Sequence, residues 1–111
     1  HLPLPGWVSI LHRVSGALLF AALPLGVWGL SVSLSDEAGF QRIADWIAHP
    51  LARLVLLGLI WAFSHHLLAG VRHLALDAHW GVDLKRARQS SFAVVLASGL
   101  VTLLAAWTLF A

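Results

Sequence analysis

A short stretch near the middle of the chain carries titratable side chains within an otherwise apolar run. The segment from His65 to Asp77 reads His-His-Leu-Leu-Ala-Gly-Val-Arg-His-Leu-Ala-Leu-Asp and follows apolar residues that begin near Leu54. Ionisable groups inside a membrane span are costly, so they usually face a bundle interior and mark a cofactor, an ion path or a redox centre. We therefore expect this stretch to carry the function.

Four of these residues share one face of a helix. His66, Gly70, His73 and Asp77 are separated by four, three and four positions, which places them in one stripe. A buried imidazole can be an axial ligand of haem iron, and a glycine one turn away leaves room for a flat porphyrin. Hydrogen bonding across helices by His66 and close packing at Gly70 explain the same spacing equally well. For Asp77 we expect a charge pair.

A second stripe, formed by His65 and Arg72, lies beside the first. His65 is about 100° around the helix from His66, so it is an alternative ligand. Arg72 suits an anion such as a propionate, but snorkelling of its guanidinium to the interface is an equal alternative. The spacing alone does not choose between the histidines.

Another polar group occurs in residues 9–16, Ser-Ile-Leu-His-Arg-Val-Ser-Gly. Ser9 and Arg13 are four residues apart and point the same way. They can donate hydrogen bonds to a quinone carbonyl and stabilise the negative charge that develops on reduction. The residues alone slightly favour a simpler interpretation, in which Arg13 meets lipid phosphate and Ser9 bonds its own backbone.

The composition places these groups in a membrane protein. Of 111 residues, 59% are hydrophobic and 11% charged. Residues 8–32, 51–76 and 91–111 are long enough to cross a hydrocarbon core of about 30 Å as helices. They are apolar on all sides, which favours helices over barrel strands. We expect an all-α integral membrane protein with three transmembrane helices in a single domain, 1–111.

The segments between the spans are also informative. Pro3 and Pro5 predict an extended lead-in over residues 1–6, and Ser-Asp-Glu at 35–37 predicts a short interfacial helix over about 36–47. Basic residues cluster between spans two and three, whereas acidic residues dominate between spans one and two: Lys85, Arg86 and Arg88 against Asp36, Glu37, Asp45 and a single Arg42. The positive-inside rule then predicts an N-terminus inside and a C-terminus outside.

Composition also excludes several functions. The formal net charge is only +2 and there is no basic run, which argues against nucleic-acid binding. Cysteine is absent, which excludes disulfides, thiolate iron-sulfur ligation and covalent c-type haem. Any redox centre must be held non-covalently. Because the first residue is histidine, we expect the sequence to begin inside a longer natural chain.

The two motifs together resemble a known family. Residues 9–16, followed by His-x-x-x-Gly-x-Arg-His-Leu-x-x-Asp at 66–77, are similar to the cytochrome b556 subunits of succinate dehydrogenase, the larger membrane anchors of respiratory complex II. The resemblance covers essentially the whole chain. It implies three spans, with the N-terminus inside, in a multi-subunit helical bundle.

The resemblance implies an anchor of succinate:ubiquinone oxidoreductase that serves electron transport and the tricarboxylic acid cycle without being catalytic alone. Its expected partners are a flavoprotein that oxidises succinate, an iron-sulfur subunit, a smaller membrane anchor and membrane lipid. A b-type haem would be shared with that smaller anchor, and ubiquinone would be the electron acceptor. The bacterial inner membrane is the expected location, in preference to the mitochondrial one.

Site residues follow from the same resemblance. It implies His66 as the axial ligand of the haem iron, with His12, Arg13 and His73 near the haem, and Ser9 and Arg13 in the quinone site. It assigns no firm role to Asp77.

Some features depart from the family, and other functions stay open. The family's basic, proline-containing N-terminal segment is missing before His1, and tyrosine is absent, so a quinone-binding tyrosine must come from a partner. The alternatives are an anchor of a quinol:fumarate reductase, or a cofactor-free transporter or scaffold subunit.

Overall fold

A computed structural model describes residues 2–111, and over this range the chain is helical with no strand. The four helices are α1 (Leu4–Ser35), α2 (Glu37–Ile47), α3 (Pro50–Asp77) and α4 (Leu84–Phe110). By length and composition, α1, α3 and α4 are able to cross a membrane. This confirms the predicted all-α membrane fold with three spans.

Helix α1 begins earlier than the sequence indicated. Pro3 is its N-cap and Pro5 lies in its first turn, while the amides of Gly6 and Trp7 donate to the Pro3 carbonyl at 3.0 and 3.2 Å. The expectation of an extended lead-in was therefore wrong for residues 4–6. Amide N–H groups in the first helical turn have no acceptor within the helix, so proline loses no hydrogen bond there. The fixed φ of proline also matches that of a helix. Residue 1 lies outside the described residues.

Helix α4 also begins early, at Leu84, seven residues before the predicted span at 91–111. The carboxylate of Asp83 caps it by accepting a hydrogen bond from the Arg86 amide at 3.2 Å. Lysine and arginine are good helix formers, so the basic residues expected in a loop instead form the first turns of this helix. They still lie at the end of α4 that follows α3.

Helix α2 follows α1 after one non-helical residue. That residue, Asp36, accepts a hydrogen bond from the Gly39 amide at 2.6 Å and so caps the short helix. The indoles of Trp28 on α1 and Trp46 on α2 stack, with centroids 5.7 Å apart and planes 23° apart. Helix α2 is thereby held against the second half of α1.

The long helices pack through small side chains. Helix α3 contacts both α1 and α4, and the buried apolar cluster joins Val8, Ala69 and Val94 from these three helices. At the opposite end of α3, Nη1 of Arg53 donates to the Leu109 carbonyl at 3.0 Å, which ties the start of α3 to the end of α4.

Most large apolar side chains, such as Phe20 and Trp107, are exposed. The outer surface therefore suits lipid or further apolar helices.

Candidate functional site

Three imidazoles meet where the first half of α1 crosses the second half of α3. The rings of His12 and His66 stack, with centroids 4.2 Å apart and planes 7° apart. His73, two turns after His66, meets His12 edge-on at a centroid distance of 4.8 Å. The helical stripe predicted on α3 thus has a counterpart on α1, and we call His12, His66 and His73 the histidine cluster.

A glycine lies at this close approach on each helix, and the contact at Gly16 is the tighter one. A Cβ atom at Gly16 would lie 2.8 Å from Cε1 of His66, and one at Gly70 would lie 3.4 Å from Cε1 of His12. Each histidine therefore packs against a glycine on the opposite helix. The fit is reciprocal, because each helix supplies a histidine and, four residues later, the glycine that receives the other ring.

Hydrogen bonds from α1 fix the orientation and tautomer of His66. Its Nδ1 lies 3.1 Å from the His12 carbonyl and 3.3 Å from Oγ of Ser15. A carbonyl oxygen only accepts hydrogen bonds, so Nδ1 carries the proton and donates it. The other nitrogen, Nε2, then keeps its lone pair. This is the arrangement that metal-ligating histidines adopt.

His65 has a different environment. It is 1% exposed, its Nε2 donates to the Val8 carbonyl at 3.3 Å, and its ring stacks on Trp61 at a centroid distance of 5.3 Å. Its Nε2 is thus used in holding α3 against α1. Of the two neighbouring histidines, His66 alone combines a protonated Nδ1 with an unused Nε2.

The histidine cluster contains an unsatisfied polar atom. Within residues 2–111, Nδ1 of His12 is the only buried side-chain nitrogen or oxygen without a hydrogen-bond partner. Such atoms are rare in folded proteins and call for a ligand or another explanation. The described residues contain no group of three or more side chains arranged to hold a metal ion. A metal centre here would take a single ligand from this chain.

The predicted quinone pair does not join the histidine cluster. Ser9 is half-buried and Arg13 is exposed, and across the described range neither side chain forms a hydrogen bond or an ion pair with another residue. Arg13 directly follows His12, so its guanidinium is available at the surface beside the cluster. Asp77 is exposed too, and the charge pair expected for it does not form within residues 2–111.

Ser15 and Gly16 belong to the motif at 9–16, but the sequence alone assigned neither of them a role in the site. Ser15 is fully buried, and its hydroxyl donates to the His12 carbonyl at 2.9 Å as well as contacting His66. A usable signal was present, because His-x-x-x-Gly occurs at 12–16 and again at 66–70. The repeat indicates two helices in which the histidine ring of each packs against the glycine of the other.

We expect Gly16→Ala to destabilise the protein. The new methyl group would overlap the His66 ring, and overpacking of this kind typically costs about 1 to 3 kcal/mol. The measurement is the midpoint of thermal unfolding in detergent, followed by tryptophan fluorescence. Gly58→Ala on α3 is the matched control, since nothing lies within 4 Å of its added Cβ. Equal midpoints for the two variants would contradict the reciprocal fit.

Known proteins resemble the whole of this chain. Residues 1–106 match the family of succinate dehydrogenase/fumarate reductase transmembrane subunits. The succinate dehydrogenase cytochrome b556 subunit of Paracoccus denitrificans is 36% identical over 104 residues, which are 93% of this chain and 79% of that protein.

Other organisms supply similar proteins. The subunit of the same name from Coxiella burnetii is 30% identical over 106 residues, covering 95% of this chain and 85% of the relative. The mitochondrial succinate dehydrogenase cytochrome b560 subunit of Bos taurus is 29% identical over 103 residues, covering 86% and 61%. With its three apolar helices and a family match over nearly its full length, this chain belongs to the succinate dehydrogenase/fumarate reductase transmembrane subunits.

Proposed function

We propose that this chain is a membrane anchor of a succinate:ubiquinone oxidoreductase, and that it shares a b-type haem with a smaller anchor subunit. The observation that carries the proposal is the state of His66, whose Nδ1 donates to the His12 carbonyl while Nε2 stays free. The names of the relatives from Paracoccus and Coxiella support the same enzyme. Their bacterial origin favours the bacterial inner membrane as the location.

The histidine cluster has features that suit a haem. Nε2 of His66 would be the axial ligand, and a hydrogen bond from its Nδ1 makes an imidazole a stronger ligand. His12, Arg13 and His73 would lie beside the haem, with Arg13 and His73 as donors to its propionates. When bound, the haem would supply reversible storage of one electron in the membrane.

The second ligand must come from another chain. Within residues 2–111 the ring of His12 stacks on that of His66 and meets His73 edge-on, so the three imidazoles are packed together and leave no gap between them for a haem. The exposed apolar surface of α1 and α3 offers room for a partner helix. A site shared with a smaller anchor satisfies both observations.

Ser9 and Arg13 are the proposed quinone contacts. Their hydroxyl and guanidinium lie one turn apart on α1, and the exposed Arg13 has donors that no other side chain within residues 2–111 occupies. Donors held at a carbonyl oxygen stabilise the negative charge that develops there on reduction. Because this chain has no tyrosine, any phenol in the quinone site belongs to a partner.

The remaining partners and the membrane orientation are those that we propose for a succinate:ubiquinone oxidoreductase. A flavoprotein would oxidise succinate, and an iron-sulfur subunit would deliver electrons to the end of the anchor that bears Ser9 and Arg13. The basic residues Lys85, Arg86 and Arg88 favour an orientation in which the α3–α4 connection, and with it the N-terminus, lies on the inner side. The family also includes fumarate reductase subunits, so the same fold is compatible with flux in reverse.

Purification of the complex through a tag on this chain tests the proposal. We expect a flavoprotein, an iron-sulfur subunit and a second small membrane protein to co-purify. We also expect the reduced-minus-oxidised spectrum to show a b-type haem, and succinate to reduce a ubiquinone analogue. A chain that purifies without flavoprotein and without a haem spectrum would instead be a scaffold or transporter subunit.

A further inference from the structure

An arginine of α3 is buried without an acidic partner. Arg72 is 8% exposed, its Nε donates to Oγ of Ser90 at 2.9 Å, and its Nη2 donates to the Ala87 carbonyl at 3.3 Å. Both acceptors are neutral. Buried charges are normally paired, because an uncompensated charge in a low-dielectric setting is strongly unfavourable. Because no acidic group of residues 2–111 pairs with Arg72, the negative charge must come from outside the described residues.

The acidic residues nearest in sequence do not supply it. The only ion pair within residues 2–111 joins Arg86 to Asp83, at 3.8 Å. The other oxygen of Asp83 is occupied as the N-cap of α4, and Asp77 is exposed and unpaired with any basic side chain of the described range. Arg72 is therefore a fixed positive charge.

A cavity of about 330 Å³ opens beside this guanidinium. Its polar lining residues are Arg72, Arg86 and Ser90, and its apolar lining includes Leu76 and Trp80. Nη1 of Arg72 has no hydrogen-bond acceptor within residues 2–111, and it is not fully buried. This nitrogen is therefore accessible from outside the protein. Two arginines thus line one pocket, and the N-terminus of α4 adds partial positive charge.

The surroundings of the cavity indicate which anion it takes. Trp80, Val82 and Leu84 in and after the α3–α4 turn are 73%, 57% and 64% exposed, as is typical of residues at a membrane interface. Arg72 lies five residues before the end of α3, about 8 Å along the helix axis. Arginine forks match phosphate oxygens in geometry and charge. These features combine a phosphate site with an apolar rim.

We propose that this pocket binds the phosphate of an anionic phospholipid between Arg72 and Arg86, with the acyl chains along Leu76. The lipid supplies the counter-charge that Arg72 does not find within residues 2–111. The positive-inside orientation places the pocket in the inner leaflet, where anionic lipids are enriched. A zwitterionic lipid suits it less well, since its cationic headgroup would meet two guanidinium groups.

Lipid titration of the purified complex tests this site. The complex is delipidated in detergent and titrated with phosphatidylglycerol, phosphatidylcholine or inorganic phosphate, and bound lipid is counted by native mass spectrometry while thermal unfolding is followed. The variants are Arg72→Gln and Arg86→Gln, and Arg88→Gln is the control because it removes a nearby basic charge that does not line the cavity.

We expect phosphatidylglycerol to bind and to raise the unfolding midpoint. Each pocket variant should weaken its affinity about tenfold or more, as expected for the loss of a hydrogen bond to a charged group. Arg88→Gln should behave as the parent. Arg86 is exposed, so Arg86→Gln gives a result even where Arg72→Gln fails to accumulate.

Three results would overturn the proposal. An equal loss of affinity in Arg86→Gln and Arg88→Gln would show diffuse attraction to surface charge. An equal midpoint shift with inorganic phosphate would show a free-anion site. Release of a partner subunit from Arg72→Gln, with no change in bound lipid, would show that a partner carboxylate is the counter-charge. The lipid count needs neither haem nor succinate, so it is independent of the proposed function.

Discussion

His66→Ala is expected to abolish the b-type haem spectrum of the purified complex. The alanine has no nitrogen to coordinate iron, and the described residues offer no replacement ligand at that position, since Nε2 of His65 is engaged with the Val8 carbonyl. Loss of groups that only orient a metal ligand lowers metal affinity about 10- to 100-fold, so loss of the ligand itself should exceed that range. The measurement is the reduced-minus-oxidised difference spectrum per mole of flavin.

The control for this variant is His65→Ala. It should keep the haem spectrum but lower the unfolding midpoint, because it removes a buried ring and its hydrogen bond to Val8. A purely structural role of His66 is tested with His66→Gly, where added imidazole should restore the spectrum by occupying the vacated space. Loss of the spectrum in His65→Ala, with retention in His66→Ala, would show that His65 is the ligand and that the assignment to His66 is wrong.

Arg13→Ala is expected to lower succinate–ubiquinone activity about 10- to 100-fold while sparing succinate oxidation by a soluble dye. The range corresponds to the loss of one charged hydrogen bond to a group that becomes negative during reduction. Arg13 is exposed and contacts no other side chain of the described residues by hydrogen bond or ion pair. Its removal should therefore leave folding and the earlier electron-transfer steps intact.

Two further variants serve as comparisons for Arg13→Ala. Arg13→Lys keeps the charge but loses the fork of donors, so an intermediate activity is expected. Arg42→Ala, on the exposed surface of α2, removes an arginine far along the chain from Ser9 and should have no effect. An equal fall of the quinone and dye activities in Arg13→Ala would place this residue in assembly of the enzyme instead of quinone binding.

The sequence was sufficient to predict the helical class and the three spans, because composition and segment length determine them in a membrane. It was insufficient at helix ends. Proline breaks the interior of a helix but is accepted in the first turn, where Pro5 lies. Asp83 caps α4, and a hydrophobicity pattern does not detect such a cap. End positions depend on local hydrogen bonds that average hydropathy ignores.

Part of the site was also predictable. Periodicity brought His66, Gly70 and His73 onto one face of α3, but it gave no information on which helix would meet that face. The choice between His65 and His66 rests on contacts with α1, namely the carbonyls of Val8 and His12, which are far away in sequence. The stacking of His12 on His66 and the burial of Ser15 likewise arise from helix packing, which a single sequence does not specify.

The reciprocal fit of the histidine cluster also restricts how this sequence can evolve. Each ring occupies the gap left by a glycine on the opposite helix, so positions 16 and 66 are coupled, as are positions 12 and 70. A lineage that retains His66 must retain a minimal residue at 16, whatever cofactor it binds. At position 70 an added Cβ would lie 3.4 Å from the His12 ring, at the edge of ordinary van der Waals contact, so this pair is coupled more weakly. Among relatives, positions 16 and 66 should therefore covary more strictly than positions 12 and 70.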